Sequence, residues 1–261
     1  MLFDRILDRR ILCFDTETTG PNPAEDAVVE LGAVVLERGQ VTTRLRLRLN
    51  PGWPIPAEAS AVHGIYDEHV AREPLFADVA ERVASRFSEF DVFCGYNALR
   101  FDVPILNAEL ERAGHAYRIP AGQVLDPMVW YKRRHPDRSA KLGDVCQDLM
   151  VRLDNAHAAL ADAEAVALVL KACIGQGVMP VEAPFALEAQ PREAAKLEAE
   201  RAEFGGWWYR DRASPAILRL GRGKHRGLTL AEAPASYVQW ALGLEDLPPA
   251  ARAVFEGQER G

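Results

Sequence analysis

Residues 14–20 read Phe14-Asp15-Thr16-Glu17-Thr18-Thr19-Gly20 and form the most informative motif of the chain. Apolar and β-branched residues predict a strand over 11–17, and Gly20 marks the turn after it. Side chains alternate across a strand, so Asp15 and Glu17 project from the same face. Two buried carboxylates on one face repel each other unless a divalent cation lies between them, and hard oxygen ligands favour Mg²⁺ or Mn²⁺. The alternative is a pair of turn acids at a strand end.

The residues around this stretch predict a mixed sheet. An apolar run at 27–36 and an alternation of leucines with arginines at 41–49 predict two further strands. Their connections are too short for a parallel crossover, so the three strands form an antiparallel meander. Helices and strands then alternate, with helices at 75–90, 101–113, 141–150 and 155–173 and strands at 92–96 and 124–125. This order predicts an α/β domain with helices on both faces of the sheet.

Length and charge narrow the class of protein. The chain has 261 residues, with 31 Lys and Arg against 38 Asp and Glu and a net charge of −7, which excludes a uniformly basic protein that coats nucleic acid. No stretch has the length of uncharged apolar residues that a membrane span needs, and the N-terminus lacks a secretion signal pattern. The four cysteines are far apart, which is typical of reduced thiols. We expect a cytoplasmic protein without a membrane partner.

The chain divides by composition into three parts. Residues 1–175 hold the α/β domain, and residues 176–206 are rich in Pro, Glu and Ala, which predicts a linker with a solvated helix. Residues 207–261 form a small module with basic and aromatic residues. Its first part, 207–226, has six Lys and Arg against Asp211, a local charge of +5. This pattern predicts a surface that grips nucleic acid, or a solvated basic face over an aromatic core.

Two more acids and a histidine lie in informative positions. Asp102 lies at a strand-to-helix junction, where it binds a cation or caps the helix. Asp162 lies on a helix of small and apolar residues, where an unpaired charge needs a partner. His157 precedes Asp162 by five residues, which would place the two side chains about 140° apart on a straight helix. The two residues can therefore share a site only if His157 lies in the first turn of the helix or in the loop before it. Asp154 or Asn155 would cap that helix. The alternative for His157 is an exposed histidine at a helix start.

These motifs resemble the DEDDh 3′–5′ exonuclease family. The resemblance covers residues 10–173 and includes the segment 50–65, which is similar to the segment that ends in Val-His-Gly-Ile in proofreading subunits of bacterial replicases. It implies a ribonuclease H-like three-layer α/β/α fold with a mixed five-stranded sheet. Ala158 departs from the family, where arginine is common at this position. The departure affects no residue that the family uses in catalysis.

The resemblance also implies roles for individual residues. Asp15, Glu17, Asp102 and Asp162 would bind two Mg²⁺ or Mn²⁺ ions, which could activate the attacking water and stabilise the leaving 3′ oxygen. His157 would be the general base. Six further residues would contact the terminal nucleotide: Thr18, Thr19, Val62, His63, Asn97 and Phe101.

The C-terminal module resembles that of exonuclease X-like proteins. Residues 218–227 and the Tyr237-Val238-Gln239-Trp240 stretch carry this resemblance, although Leu220-Gly221-Arg222-Gly223 stands where those proteins have Phe-Gly. A second basic run, 132–135, precedes the third motif and is either solvated or part of a substrate channel. The candidate contacts with nucleic acid in these two regions are Arg133, Arg134, Trp207, Trp208, Arg222, Lys224 and Arg226.

The expected activity is hydrolysis of phosphodiester bonds from 3′ ends of DNA, with release of 5′-mononucleotides. RNA is the alternative substrate. DNA repair or end processing is the expected role, since no clamp-binding tail is visible; a replicase proofreading subunit and an RNA-trimming exoribonuclease are the alternatives. Polymerase or repair proteins are candidate partners, and the sequence identifies none. A hypothesis from another class is an adaptor that binds nucleic acid without cutting it.

Overall fold

The computed structural model describes residues 4–154 and 157–257, which divide into two compact units. The first unit contains residues up to 128 together with 141–190. The second contains residues 129–140 together with those from 191 onward. The basic run at 132–135 therefore belongs to the second unit. Within the described residues, no helix combines the length and the apolar character needed to cross a membrane.

The first unit is built on a five-stranded mixed sheet in the order β3-β2-β1-β4-β5. Strands β1 to β3 form the expected antiparallel meander, and β4 and β5 continue the sheet in parallel with β1. The mixed five-stranded sheet that the sequence predicts is confirmed. The strands are β1 (Arg10–Thr18), β2 (Val28–Glu37), β3 (Gln40–Arg48), β4 (Val92–Cys94) and β5 (Val124–Leu125).

Helices cover both faces of this sheet. Helix α7 packs on β1 and β2 from one side, and α3 and α4 pack from the other side around a core that includes Leu12, Phe14 and Phe93. The helices up to this point in the chain are α1 (Ala57–His63), α2 (Asp67–Val70), α3 (Phe76–Ser88), α4 (Asp102–Arg112), α5 (Pro127–Arg134), α6 (Leu142–Asp148) and α7 (Ala159–Gly175), with short 3₁₀ turns at Ile6–Asp8 and Ala121–Gln123. The three layers are those of the expected fold.

The second unit has its own core. Helix α8 (Ala183–Phe204) begins in the first unit, and its residues from 191 onward belong to the second. They lead into a hairpin of β6 (Trp208–Arg210) and β7 (Leu218–Leu220), followed by α9 (Ala235–Leu242) and α10 (Pro249–Phe255). Trp208 is 1% exposed, and its indole N–H donates to the carbonyl of Ala251 at 3.3 Å. Phe255 lies against the same indole, with 4.7 Å between the ring centroids. A small aromatic cluster therefore holds this unit together.

Some elements differ from the expectation. The predicted linker is largely the 22-residue helix α8, which is partly buried: Ala186 and Gln190 are at most 1% exposed. Helices α1, α2 and α5 were not predicted, because they are short and have no clear apolar periodicity. Helix α7 begins at Ala159, whereas the pattern predicts a start at residue 155. Asn155 itself lies outside the described residues.

Candidate active site

Three carboxylates meet at the carboxyl end of β1. Asp15 and Glu17 project from this strand toward α7, which carries Asp162, and each of the three side chains offers an oxygen within 4.8 Å of those of the other two. Glu17 is 8% exposed and Asp162 is 7% exposed. Oxygen ligands at this spacing and in this partly dry setting are suited to a hard divalent cation.

A glycine allows α7 to approach the strand this closely. Gly32 on β2 is the cross-strand partner of Asp15. A Cβ atom built on Gly32 would lie 2.1 Å from the carbonyl carbon of Ala159 and 2.2 Å from the backbone nitrogen of Leu160, both in the first turn of α7. Only a residue without a side chain fits this contact. The glycine therefore sets the distance between Asp162 and the acids of β1.

His157 lies in the loop directly before α7, as sharing a site with Asp162 requires. Its backbone N–H donates to Oδ2 of Asp162 at 2.9 Å, and its φ of 66° is in the left-handed region. Burial raises the pKa of Asp162, and the backbone N–H and the nearby exposed ring of His157 oppose part of this rise. The sequence-based suggestion that Asp154 caps α7 is wrong, because the N-cap position is Ala158; the Asp154 carboxylate pairs with Arg152 at 2.6 Å.

Asp102 reaches the same edge of the sheet from the opposite layer. It begins α4 and is 2% exposed. Its Oδ1 accepts from the backbone N–H of Thr16 at 2.9 Å and from the Thr16 hydroxyl at 2.6 Å. The carboxyl group lies outside the three-carboxylate cluster, yet its charge raises the pKa of Asp15. The structure thus brings all four predicted acids to one region.

The pKa values show how strongly these acids resist ionisation together. Burial raises the pKa of Asp15 well above its ordinary value, and the charges of Asp102, Asp162 and Glu17 add to the shift. Burial, with the charge of Asp162, raises the pKa of Glu17 to about 8. Burial also raises the pKa of Asp102 to about 7 against the opposing hydrogen bonds from Thr16. A cation among these groups would relieve the repulsion.

The six predicted nucleotide contacts lie in different settings. Val62 is 58% exposed, and Phe101 and Asn97 are half-buried beside Asp102 in sequence, with Asn97 at a φ of 60°. The Thr18 hydroxyl donates to the carbonyl of Gly20 at 2.8 Å, and the hydroxyl and backbone N–H of Thr19 are both hydrogen-bonded within the turn. Neither hydroxyl proton is free for a ligand. The roles of the six residues stay predictions.

The ring of His63 is half-buried at the end of α1. Its Nδ1 accepts from the backbone N–H of Ile65 at 3.0 Å, which places the proton of the neutral ring on Nε2. That Nε2 is buried and forms no hydrogen bond of ordinary geometry within the described residues, although the backbone of Thr18 lies near enough to raise the pKa of the ring against the effect of burial. Burial lowers the pKa of the imidazole, so the neutral ring is favoured. A substrate phosphate or base could accept this hydrogen bond.

Two further acids near the site were missed at the level of sequence. Glu30 on β2 is 1% exposed and opposes Glu17 across the strands, where its charge raises the pKa values of Asp15 and Glu17. Arg46 and Arg48 of β3 each approach its carboxylate to 2.7 Å. The single acid in the apolar run 27–36 was the available signal.

Asp126 is the second of these missed acids. It is 2% exposed, and its Oδ1 accepts from the backbone N–H groups of Asn97 at 3.0 Å and Met128 at 3.0 Å. The first of these bonds holds Asn97 in its left-handed conformation, at the start of the junction that leads to Asp102. Asp126 therefore supports the loop that presents two of the predicted site residues.

The candidate nucleic-acid contacts of the second unit divide into two groups. The predicted contact through Trp208 is wrong, because its ring lies in the core. Arg226 donates to the carbonyl of Pro136 at 2.7 Å, and Arg133 pairs with Glu193. Trp207 is 2% exposed beneath Arg222. The remaining candidates are exposed: Arg134, Arg222 and Lys224.

A mixed sheet between helical layers, with acidic side chains gathered at the end of its central strand, defines a nuclease core of the ribonuclease H-like type with a site that could hold a metal ion. Comparison with known sequences leads to the particular family. The family model described as "Exonuclease" (RNase_T) matches residues 12–170. The chain therefore belongs to the exonuclease family, and the resemblance on which the sequence analysis relied is confirmed.

Individual relatives share parts of the chain. The "3′-5′ exonuclease DinG" of Bacillus subtilis (strain 168) is 34% identical over 165 residues, which cover 62% of this chain and 17% of that protein. Thus this chain spans about a sixth of that relative's length. E. coli exonuclease I in complex with a dT13 oligonucleotide has a TM-score of 0.59 at 17% identity and covers 91% of this chain and 60% of that one. Exonuclease X in complex with 5′ overhanging duplex DNA has a TM-score of 0.54 at 20% identity and covers 69% of this chain and 99% of that one.

Proposed function

We propose that this chain is a metal-dependent 3′–5′ exonuclease that removes 5′-mononucleotides from the 3′ ends of DNA. The observation that carries the proposal is the cluster of Asp15, Glu17 and Asp162, whose oxygens lie within 4.8 Å of one another. The raised pKa values of these acids show that the fold brings them together at an electrostatic cost. A protein core keeps such a cluster when a cation or a reaction uses it.

The donor set fits Mg²⁺ or Mn²⁺. All the candidate ligands are carboxylate oxygens, which these hard cations prefer, and no thiol or imidazole belongs to the cluster. Asp15, Glu17 and Asp162 would hold one ion, and Asp102 would help to hold a second. When bound, the two ions supply an activated water and neutralise the charge that develops on the leaving 3′ oxygen.

The remaining residues of the proposed site act on the proton and the nucleotide. His157, exposed beside Asp162, would accept the proton of the attacking water as general base. The exposed Val62 and the ring of Phe101 would support the terminal base, and the Nε2–H of His63 would donate to the substrate. Contacts of this kind read no particular base, as an exonuclease that acts on any sequence requires.

A 5′-labelled single-stranded DNA oligonucleotide tests this proposal. With Mg²⁺ we expect a ladder of products shortened from the 3′ end, and with EDTA no products. Asp15→Asn should lower kcat by at least about 10³-fold while the melting temperature does not fall, because the variant removes a ligand and also a source of repulsion. Glu245→Gln removes an exposed charge in the second unit and is the matched control.

Two results would overturn the proposal. Binding of the oligonucleotide without shortening would favour the adaptor hypothesis, and full activity of Asp15→Asn would remove the cluster from the mechanism. Rates on matched DNA and RNA strands decide the sugar preference. The proposed role is repair or processing of DNA ends, and a faster rate on RNA would favour the RNA-trimming alternative.

A further inference from the structure

The second unit contains an open groove that the proposed reaction does not use. Its volume is about 770 Å³, and it lies between α9 and the loop after β7. The groove is lined by three aromatic side chains together with two cations. The residues that matter here are Trp207, Arg222, Lys224, Tyr237 and Trp240.

Aromatic rings line one side of the groove. Tyr237 and Trp240 are three residues apart on α9 and therefore lie on the same face of the helix. Their ring centroids are 5.3 Å apart, with 38° between the planes, and Trp207 lies behind Trp240 at 6.0 Å. Trp240 is 55% exposed, although tryptophan is usually well buried in a folded domain. An exposed tryptophan inside a groove is typical of a binding surface.

The opposite side of the groove is positively charged. The Arg222 guanidinium lies over the Trp207 ring, 3.5 Å from its centroid, and Lys224 is exposed two residues later. Neither side chain forms an ion pair within residues 4–154 and 157–257, whereas other arginines of this unit do: Arg210 with Glu203, Arg212 with Glu200 and Arg219 with Asp211. Asp246 is the one acid that lines the groove. The groove therefore has positive charge available for an anion.

Two glycines fix the loop that carries these cations. A Cβ atom on Gly221 would lie 2.6 Å from the carbonyl oxygen of Gly206, so the backbone passes too closely for any side chain. Gly223 has a φ of 75°, in the left-handed region that favours glycine. The loop therefore has a defined path, and Arg222 stays between the Trp207 ring and the open groove.

We propose that this groove binds a segment of single-stranded DNA, with a base stacked on Trp240 and Tyr237 and the neighbouring phosphates on Arg222 and Lys224. Flat aromatic rings beside unpaired cations recognise the two parts that every nucleotide shares, a planar base and an anionic phosphate. The choice of DNA over RNA rests on the proposed function of the first unit. The groove itself is a separate site, which would hold the strand without cutting it.

Binding to 5′-fluorescein-labelled dT20, measured by fluorescence anisotropy with the full chain in EDTA, tests this site without turnover. Trp240→Ala should weaken binding by about 10-fold, and Trp240→Phe, which keeps a flat ring, should recover most of the affinity. The double variant Arg222→Ala/Lys224→Ala should reduce the slope of log Kd against log salt by about 1.4. Phe185→Ala and Lys196→Ala remove an exposed ring and an exposed cation outside the groove, and should bind as the unchanged chain does.

Cross-linking locates the strand directly. A dT20 analogue with 5-iododeoxyuridine, irradiated in complex with the full chain, should cross-link within residues 235–242. Cross-links confined to the first unit, or equal affinity for all the groove variants and the controls, would overturn the proposal. Tighter binding of rU20 than of dT20 would overturn the choice of DNA. Since no hydrolysis is needed, an inactive first unit would leave this test valid.

Discussion

Thr16 connects the two layers that supply the acids. Its side chain lies on the opposite face of β1 from Asp15 and Glu17, and both its hydroxyl and its backbone N–H donate to Oδ1 of Asp102. Burial raises the pKa of Asp102 to about 7, and the two bonds from Thr16 act in the opposite direction. Without these bonds the pKa would be higher still. A threonine in the middle of the acidic motif therefore keeps the fourth acid closer to its ionised form.

Thr16→Val tests this function of the hydroxyl. The substitution keeps the shape of the side chain and removes one hydrogen bond to a buried carboxyl group, so we expect a loss of about 1–3 kcal/mol in the free energy of unfolding. The pKa of Asp102 should rise, and half-maximal activity should then require about 5-fold more Mg²⁺ at pH 7. Thermal unfolding and a Mg²⁺ titration of the cleavage rate measure the two effects.

A second threonine provides the control for this experiment. Thr43→Val changes a half-buried threonine on β3 in the same way, away from the acids. It should leave the Mg²⁺ requirement unchanged. If Thr16→Val also needs no additional Mg²⁺, the hydroxyl does not support cation binding through Asp102.

At the scale of elements, the contact between β2 and α7 sets the geometry of the site. Gly32 lies under the first turn of the helix, where the backbone of Ala159 and Leu160 leaves no room for a Cβ atom. His157 and Asp162 are joined by a hydrogen bond across this same turn. Any displacement of α7 from the sheet would therefore move both residues together, away from Asp15 and Glu17.

Gly32→Ala should be far more damaging than its size suggests. The added methyl group meets backbone atoms that cannot rotate away, so we expect a loss of about 1–3 kcal/mol in stability from overpacking. A displacement of about 1 Å in catalytic groups costs about 100-fold in rate, and kcat/KM should fall by at least that factor. Measurements of cleavage rate and melting temperature on the same preparation test this.

Gly143→Ala is the matched control for the glycine experiment. This glycine lies in α6 with open space around it and no positive φ, so alanine should stabilise the chain slightly and leave the cleavage rate unchanged. Near-normal activity of Gly32→Ala would show that α7 can move without disturbing the acids.

Across the whole molecule, the elements with periodic apolar residues or short connections were predicted well from the sequence. The β1–β3 meander and the helices α3, α4 and α7 follow from apolar periodicity and from short connections. Local sequence did not show that Trp208 is buried and Trp240 exposed, since the residue type alone does not tell which way a side chain points. The sequence also did not show the ion pairs of Glu30, because its partners Arg46 and Arg48 lie on another strand.

The sequence predicted which residues form the candidate site better than it predicted the contacts between them. The resemblance of the combined motifs to a known family was enough to select Asp15, Glu17, Asp102 and Asp162. The hydrogen bond from Thr16 and the close approach at Gly32 depend on tertiary packing between residues far apart in sequence, so no local pattern contains them. The sequence therefore predicted which acids form the site, and the fold was needed to explain how these acids are held together.

The raised pKa values of the acids make the stability of the metal-free chain depend on pH in a definite direction. An acid whose pKa is higher in the folded state contributes stability below its ordinary pKa of about 4, and this contribution is lost as the pH rises through the folded value. For Asp102 and Glu17 those folded values are about 7 and about 8. His63, whose pKa is lowered, acts in the opposite direction and only below about pH 6.5. The window from pH 6.5 to 8 therefore isolates the carboxyl groups.

In EDTA, the melting temperature should fall between pH 6.5 and pH 8. Each carboxyl group that stays protonated in the fold costs about 1.4 kcal/mol per pH unit, and each kcal/mol corresponds to about 2–4 °C for a domain of this size. Mg²⁺ should raise the melting temperature more at pH 8 than at pH 6.5, because it binds the ionised acids of the folded state. Asp15→Asn/Asp162→Asn should flatten both dependences, since it removes two of the mutually repelling charges. A melting temperature in EDTA that rises over this window would show that the fold does not hold these acids against their own repulsion.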